Sequence, residues 1–160
     1  MVFLWAVVHD RPTSWACQAK NWPVPPRHLP AQCTMSRRLR ASDVRQLLDA
    51  VEAFLGGDAR HWWVQLMDSK PLTVGNCSKD KHATWGRAAR ALQRGYKVHV
   101  IWGLGPLPTC WCIAPMNVGD APTARQLLAK LSGSGYLVGD KQFDSNPLHA
   151  AATAKGFQVV

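Results

Sequence analysis

Hydrophobic positions along this chain follow two spacings, and the change between them falls near residue 60. Upstream the spacing is helical. Val44, Leu47, Leu48, Val51, Phe54 and Leu55 fall at i, i+3, i+4, i+7, i+10 and i+11, one apolar stripe between Ser42 and Leu55. Ser42 stands where it can cap the start, and Gly56-Gly57 stops the helix. Such a helix serves either as core or as a connector between domains. Nearer the start, Val2–His9 and Thr13–Lys20 have the length of two short helices, with Asp10-Arg11-Pro12 as the turn and Thr13 as N-cap. That spacing fits a helix-turn-helix that reads DNA, and it fits simple packing of a helix pair equally. Val24–Pro30 must be extended, because proline removes donors and turns the residue before it away from helix.

From residue 62 the pattern becomes that of strands. Trp62–Met67 is a buried run ending at Asp68. Lys97–Trp102 alternates, with Val98, Val100 and Trp102 on one face and His99 and Ile101 on the other. Gly103–Pro108 makes a turn, and Cys110–Met116 returns as the antiparallel partner. Asp120 caps a helix that tolerates Pro122 in its first turn and turns Leu127, Leu128 and Leu131 inward. Tyr136–Gly139 is a short strand ending at Asp140, Pro147 opens another helix, and Phe157–Val160 begins a last strand. Three strands in succession followed by strand–helix alternation predict an α/β fold, a mixed sheet with flanking helices. The predicted division is a helix-turn-helix-like, Pro- and Trp-rich segment 1–41, a connecting helix 42–57 and a sheet domain 58–160.

Composition narrows the class. Over 160 residues, 47% are apolar and 18% charged, which excludes a disordered or low-complexity chain. Nineteen Lys and Arg against ten Asp and Glu leave +9, a balance that favours a polyanion, most simply nucleic acid. No apolar run reaches the length of a membrane span, and Val2–Val8 lacks the cationic start and the cleavage site of a signal peptide, so a cytoplasmic protein is expected, with no membrane partner. The five cysteines are odd in number and irregular in spacing, so buried thiols are expected rather than a disulfide framework or a zinc site. No Gly-rich phosphate loop or nucleophile elbow follows any strand, which argues against a small-molecule α/β enzyme.

Cations concentrate in two places. Ser36–Arg40 carries Arg37, Arg38 and Arg40, and a basic loop over 69–100 sets Lys70, Lys79, Lys81, Arg87, Arg90, Arg94 and Lys97 against Asp80 alone. Each is either a solvated surface or a phosphate-tracking one, and Trp85 adds a ring face for a base. Asp68 and Asp140 occupy equivalent settings, each closing an apolar strand. A carboxylate there is either a turn or cap residue or a ligand facing a cleft. Two from adjacent strands can hold Mg²⁺ or Mn²⁺ through oxygen. In a two-metal site one ion activates the attacking hydroxyl and the other stabilises the leaving oxygen of a phosphodiester.

Four segments in order resemble the DDE transposases of bacterial insertion sequences: Met67-Asp68-Ser69-Lys70-Pro71-Leu72, Arg94–His99, Ala114–Asp120 and Leu137-Val138-Gly139-Asp140-Lys141-Gln142-Phe143-Asp144-Ser145. The resemblance covers about residues 60–160, and more loosely Met35–Leu39 and the helix after it. It implies an RNase H-like fold with the strands of the first two acids side by side. Asp68 matches the first catalytic Asp and Asp140 the second, both as ligands of Mg²⁺ or Mn²⁺. The implied activity is phosphodiester cleavage and strand transfer in DNA transposition, with element ends and target DNA as partners and a homodimer among the assemblies allowed.

The sequence departs from the family in two ways. Gln142 and Phe143 replace the usual Gly and Tyr after the second acid. The third acid is a Glu on a helix after the last strand, whereas the sole glutamate here is Glu52 and the sequence ends at Val160. An incomplete transposase with weak or absent activity is therefore the first expectation. A non-catalytic DNA-binding remnant, with salt-sensitive and metal-indifferent binding, is the second.

Overall fold

The computed structural model describes residues 1–56, 62–75, 78–88, 91–105 and 107–160. The chain divides into two compact units, Met1–Phe54 and Leu55–Val160.

In the first unit, α1 (Val2–Val8) and α2 (Thr13–Ala16) are joined by a turn in which Asp10 takes a left-handed φ of 49°. The second helix is shorter than its expected span: after four residues the chain passes into a 3₁₀ turn, Ala19–Asn21. Thr13 lies inside α2, and the N-cap is Pro12. The one tryptophan of this helix, Trp15, is used for packing. Val2, Ala6, Ala16 and Met35 form a small core with Trp5, Trp15 and Trp22 against it. Trp5 and Trp22 stack at 4.7 Å, and their ring N–H groups donate to Asn21 O (3.0 Å) and Ala16 O (2.8 Å). A helix not foreseen, α3 (Gln32–Arg38), contributes Met35 to that core. The long helix α4 (Ser42–Gly56) has the expected bounds. Its stripe is not core: Leu47, Val51, Phe54 and Leu55 are all exposed.

The second unit is a six-stranded sheet, β1 (Val64–Thr73), β2 (Thr84–Ala88), β3 (Ala91–Trp102), β4 (Cys110–Pro115), β5 (Gly135–Val138) and β6 (Phe157–Val159). Neighbours run β2-β3-β1-β5-β6, with β4 also on β3. The pairs β1–β3, β2–β3 and β3–β4 are antiparallel, and β1–β5 and β5–β6 are parallel. The helices α5 (Asp120–Lys130) and α6 (Asn146–Ala154) sit between the last strands in sequence, as the strand–helix alternation predicts.

Two expectations for the sheet need correction. β1 runs on to Thr73, so Asp68 lies within a strand rather than at its end. Proline usually marks the limit of a central strand. Here β5 pairs only with Val64–Leu66, so at Pro71 one side of β1 is open and the missing N–H costs little, while β3 pairs along the other side from Leu66 to Thr73. The basic stretch 69–100 is likewise not a loop, since it contains β2 and much of β3.

Strand alternation gives the sheet two faces. Met67, Ile101, Leu137 and Phe157 point to the side of α5 and α6, where Ala124, Leu127, Leu128, Leu148 and Ala152 complete the core. Cys110 and Cys112 pack against the same core, and burial pushes the Cys110 thiol up to about 11, as expected of a structural thiol. Lys155 Nζ closes the C-terminal end of α5, donating to Leu128 O, Ala129 O and Leu131 O at 2.8–2.9 Å. The opposite face carries Leu66, Asp68, Trp102, Trp111, Ile113 and Tyr136, all exposed.

Candidate metal and nucleic-acid site

Asp68 and Asp140 belong to strands that pair directly. The parallel register sets Val64 beside Tyr136, Gln65 beside Leu137 and Leu66 beside Val138. The pairing ends there; continued two residues past Val138, the same register would bring Asp140 level with Asp68. By alternation Asp68 belongs to the exposed face, opposite α5 and α6, while Asp140 lies two residues past the end of β5 in the turn that leads to α6. Both are exposed.

Each carboxylate is oriented locally. Asp68 Oδ1 accepts from Ser69 N at 2.7 Å, and Asp140 Oδ1 accepts from Gln142 N at 2.9 Å. The second contact closes an Asx turn, tightened by Phe143 N donating to Asp140 O at 2.9 Å. Phe143 then drops its ring into the core. A Cβ on Gly139 would stand 3.0 Å from that ring, so the glycine before Asp140 gives the turn its room. Phe143 thus anchors this turn through burial, with no need of a hydroxyl. A cleft of about 320 Å³ opens beside it, lined by Gly139, Asp140, Lys141, Asp144, His149, Val159 and Val160. Asp144 is engaged there with His149 at 3.1 Å. Asp68 is not part of the cleft's lining.

Exposed carboxylates of this kind, where two reach one ion, are the donor set a hard divalent cation takes, with water filling its other positions. Among the described residues no three His, Cys, Asp or Glu side chains gather as a ready-made metal cluster. Glu52 lies on α4, in the other unit.

The cations divide into free and committed. Lys70 is exposed on β1, two residues beyond Asp68 and on the same face. Lys79, Lys81 and Arg87 are exposed as well. Arg90 lies outside the described residues. Arg94 is committed to the fold: it donates to Ser78 O (2.8 Å), Ala83 O (3.1 Å) and Asp80 O, binding the segment 78–83 to β3. Asp80, the one anion of the stretch, accepts from Tyr96 Oη at 2.6 Å, and that bond holds its carboxyl below the usual range. Arg37, Arg38 and Arg40 are exposed in the first unit. Arg37 and Arg38 close the last turn of α3, where cations are favourable on dipole grounds alone, and Arg40 Nε donates to Ser36 O at 3.0 Å.

A buried polar group escaped the sequence reading. Asp120 is the first residue of α5, with Gly119 as N-cap, and its side chain does not cap the helix. It accepts instead from Lys97 Nζ at 3.3 and 3.4 Å, and its Oδ1 stands 3.4 Å from His99 Nδ1. His99 is 1% exposed, and burial pushes its ring below its ordinary pKa, opposed by Asp120 and reinforced by Lys97. The signal was present in Lys97 and His99, two polar residues two apart on the strand face that also carries Ile101 and therefore in need of a buried partner.

A mixed sheet of this order, with helices between its parallel strands and carboxylates on β1 and beside β5, defines an RNase H-like domain. Within that class the chain belongs to the transposase DDE domain family, whose profile matches residues 63–160. Among solved structures it is similar to the piggyBac transposase in a synaptic complex with hairpin DNA, with TM-score 0.51 and 14% identity over 80% of this chain and 28% of that one. It is also similar to Mos1 transposase in a paired-end complex with the left transposon end (TM-score 0.41, 11% identity, 99% of this chain and 56% of that one). No curated protein matches it. The chain therefore spans well under two thirds of the transposases it is matched to. No helix among the described residues is long and apolar enough to cross a membrane.

Proposed function

We propose that this domain binds DNA across the sheet face bearing Asp68 and the turn bearing Asp140, and that the two carboxylates together hold Mg²⁺ or Mn²⁺ for phosphodiester cleavage and strand transfer in transposition. The observation that supports the reading is the direct parallel pairing of β1 with β5, the strands that carry Asp68 and lead into Asp140. Bound there, the cation would supply charge to polarise a phosphodiester and lower the pKa of an attacking hydroxyl. Lys70 is spaced along β1 to hold backbone phosphate beside the acids, and Lys79, Lys81 and Arg87 extend the positive surface. Arg94 shapes that surface from within. Two described acids are fewer ligands than the family's three, so cleavage by this chain alone is expected to be weak. The proposed partners are element ends and target DNA in the cytoplasm, with a second copy of the chain to bring two ends together.

The test is an electrophoretic shift with a labelled duplex across a salt series, with and without Mn²⁺. Binding should fall steeply with salt and tighten with Mn²⁺, and Asp68→Ala and Asp140→Ala should each remove the Mn²⁺ effect while keeping the salt dependence. Salt-sensitive binding that ignores Mn²⁺ in the unaltered chain would overturn the metal-dependent reading and favour a non-catalytic DNA-binding protein.

A further inference from the structure

The β2–β3 hairpin carries a pocket that the acids and the lysines do not use. Its volume is about 390 Å³, and its lining includes Thr73, Gly75, Trp85, Leu92, Gln93 and Arg94. That is near the lower end for small-ligand pockets, the size of one nucleotide rather than of a duplex. The register pairs Trp85 with Arg94 and Arg87 with Leu92, so these four share a face of the hairpin. Arg94 continues on β3 to Tyr96 and Val98, which pair with Leu72 and Lys70, so this face is also that of Asp68.

Trp85 is 54% exposed and Leu92 67%, an unusual outlay of apolar surface on a hairpin. Packing does not explain the ring, because the other side of β2 is the packed one: a Cβ on Gly86 would meet Met116 O at 2.3 Å. Arg87 is exposed two residues along β2 on the face of the ring. The segment 78–83, which carries the exposed Lys79 and Lys81, is tied to Arg94, the residue paired with Trp85, while its anion Asp80 is occupied by Tyr96. A flat aromatic platform within a cationic surface suits one ligand chemistry in particular, a base stacked on the ring with its phosphates on the lysines and arginine.

We propose that this pocket receives an unpaired base of single-stranded DNA, stacked on Trp85. From Asp68 to Thr73 at the pocket rim is five residues of β1, ~16 Å at about 3.3 Å per residue. The stacked base therefore lies several nucleotides along the strand from the acids, with Lys70 between them. The inference rests on the DNA reading above and adds to it a preference for melted strand at a defined place.

The experiment compares the unaltered chain with Trp85→Ala and Trp85→Phe for binding to a fluorescent oligothymidylate, a backbone-matched abasic oligonucleotide and a duplex of equal length. Trp85→Ala should bind oligothymidylate about tenfold more weakly, the loss of one stacked base, with the salt slope unchanged. Trp85→Phe should keep most of the affinity, which also shows that the hairpin tolerates substitution. Abasic and duplex binding should be the same in all three proteins. Equal oligothymidylate binding by Trp85→Ala, or an equal loss on the abasic strand, would overturn the base pocket while leaving salt-dependent DNA binding in place. Failure of the unaltered chain to bind any of the three DNAs at low salt would overturn both readings.

Discussion

Replacing Asp120 by alanine tests how the sheet is tied to the helix that leads into the second acid's strand. Asp120 is 5% exposed at the start of α5, with Lys97 Nζ at 3.3 and 3.4 Å from its two oxygens. Removing one partner of a buried ion pair costs about 3–5 kcal/mol, mostly because the other charge is left without compensation. Here the cost belongs at the low end. The distances are longer than the ~2.7–2.9 Å of a strong charge-assisted bond. The Lys97 side chain, 14% exposed, also keeps some access to water. Loss of a negative charge at a helix N-terminus adds about 0.5 kcal/mol. The expected destabilisation is therefore about 3 kcal/mol. Lys97→Met should cost a similar amount, and the double variant Asp120→Ala/Lys97→Met much less than the sum, because no charge is then stranded. Urea unfolding of the four proteins closes the cycle and gives the coupling energy. Single-variant losses below about 1 kcal/mol, or losses that add to within ~0.5 kcal/mol, would refute the reasoning.

Two further outcomes follow from neighbouring geometry. His99 has its pKa lowered in the fold by burial, so as pH falls below about 6.5 the unfolded chain takes up a proton that the folded one resists. Stability conferred by the neutral ring is present above that pH and is lost progressively as pH falls below it. The thermal midpoint of the unaltered chain should drop more over this window than that of His99→Gln, and equal drops would contradict the assignment. Gly86→Ala drives a Cβ to 2.3 Å from Met116 O, a backbone atom that cannot turn aside. A loss of about 1–3 kcal/mol in urea unfolding is expected, and an unchanged midpoint would show that the β2–Met116 contact is looser than described.

Much of the second unit could be read in the sequence because its elements carry one period each. The alternation of Val98, Val100 and Trp102 against His99 and Ile101 gave the faces of β3, and the returning Cys110–Pro115 strand pairs with it as expected. What escaped was decided by pairing rather than by pattern. Pro71 reads as a strand end until one sees that β1 has an open side there. β2 is five residues with a glycine at its centre, too short and too polar to announce itself, and it is held by β3 on one edge. Arg94 and Lys97 read as surface cations because charge is visible in a sequence, while the carbonyls and the carboxylate that engage them lie between 11 and 23 residues away. At the site, the sequence offered the two acids as residue types near strands, but the direct pairing of β1 with β5 depends on a register that no local pattern encodes. In the first unit the tryptophans and prolines marked an irregular segment without showing that three indole rings pack against a small core of Val2, Ala6, Ala16 and Met35.

The proposal that Asp68 and Asp140 hold a common ion is open to direct measurement without DNA or turnover. The free Mn²⁺ signal in electron paramagnetic resonance falls as the ion is bound, so a titration of the chain reports its occupancy. The unaltered chain should take up Mn²⁺, and Asp68→Asn and Asp140→Asn should each abolish that uptake, since one cation needs both carboxylates. Uptake that survives in either variant, with its affinity unchanged, would show that the two acids do not hold a common ion.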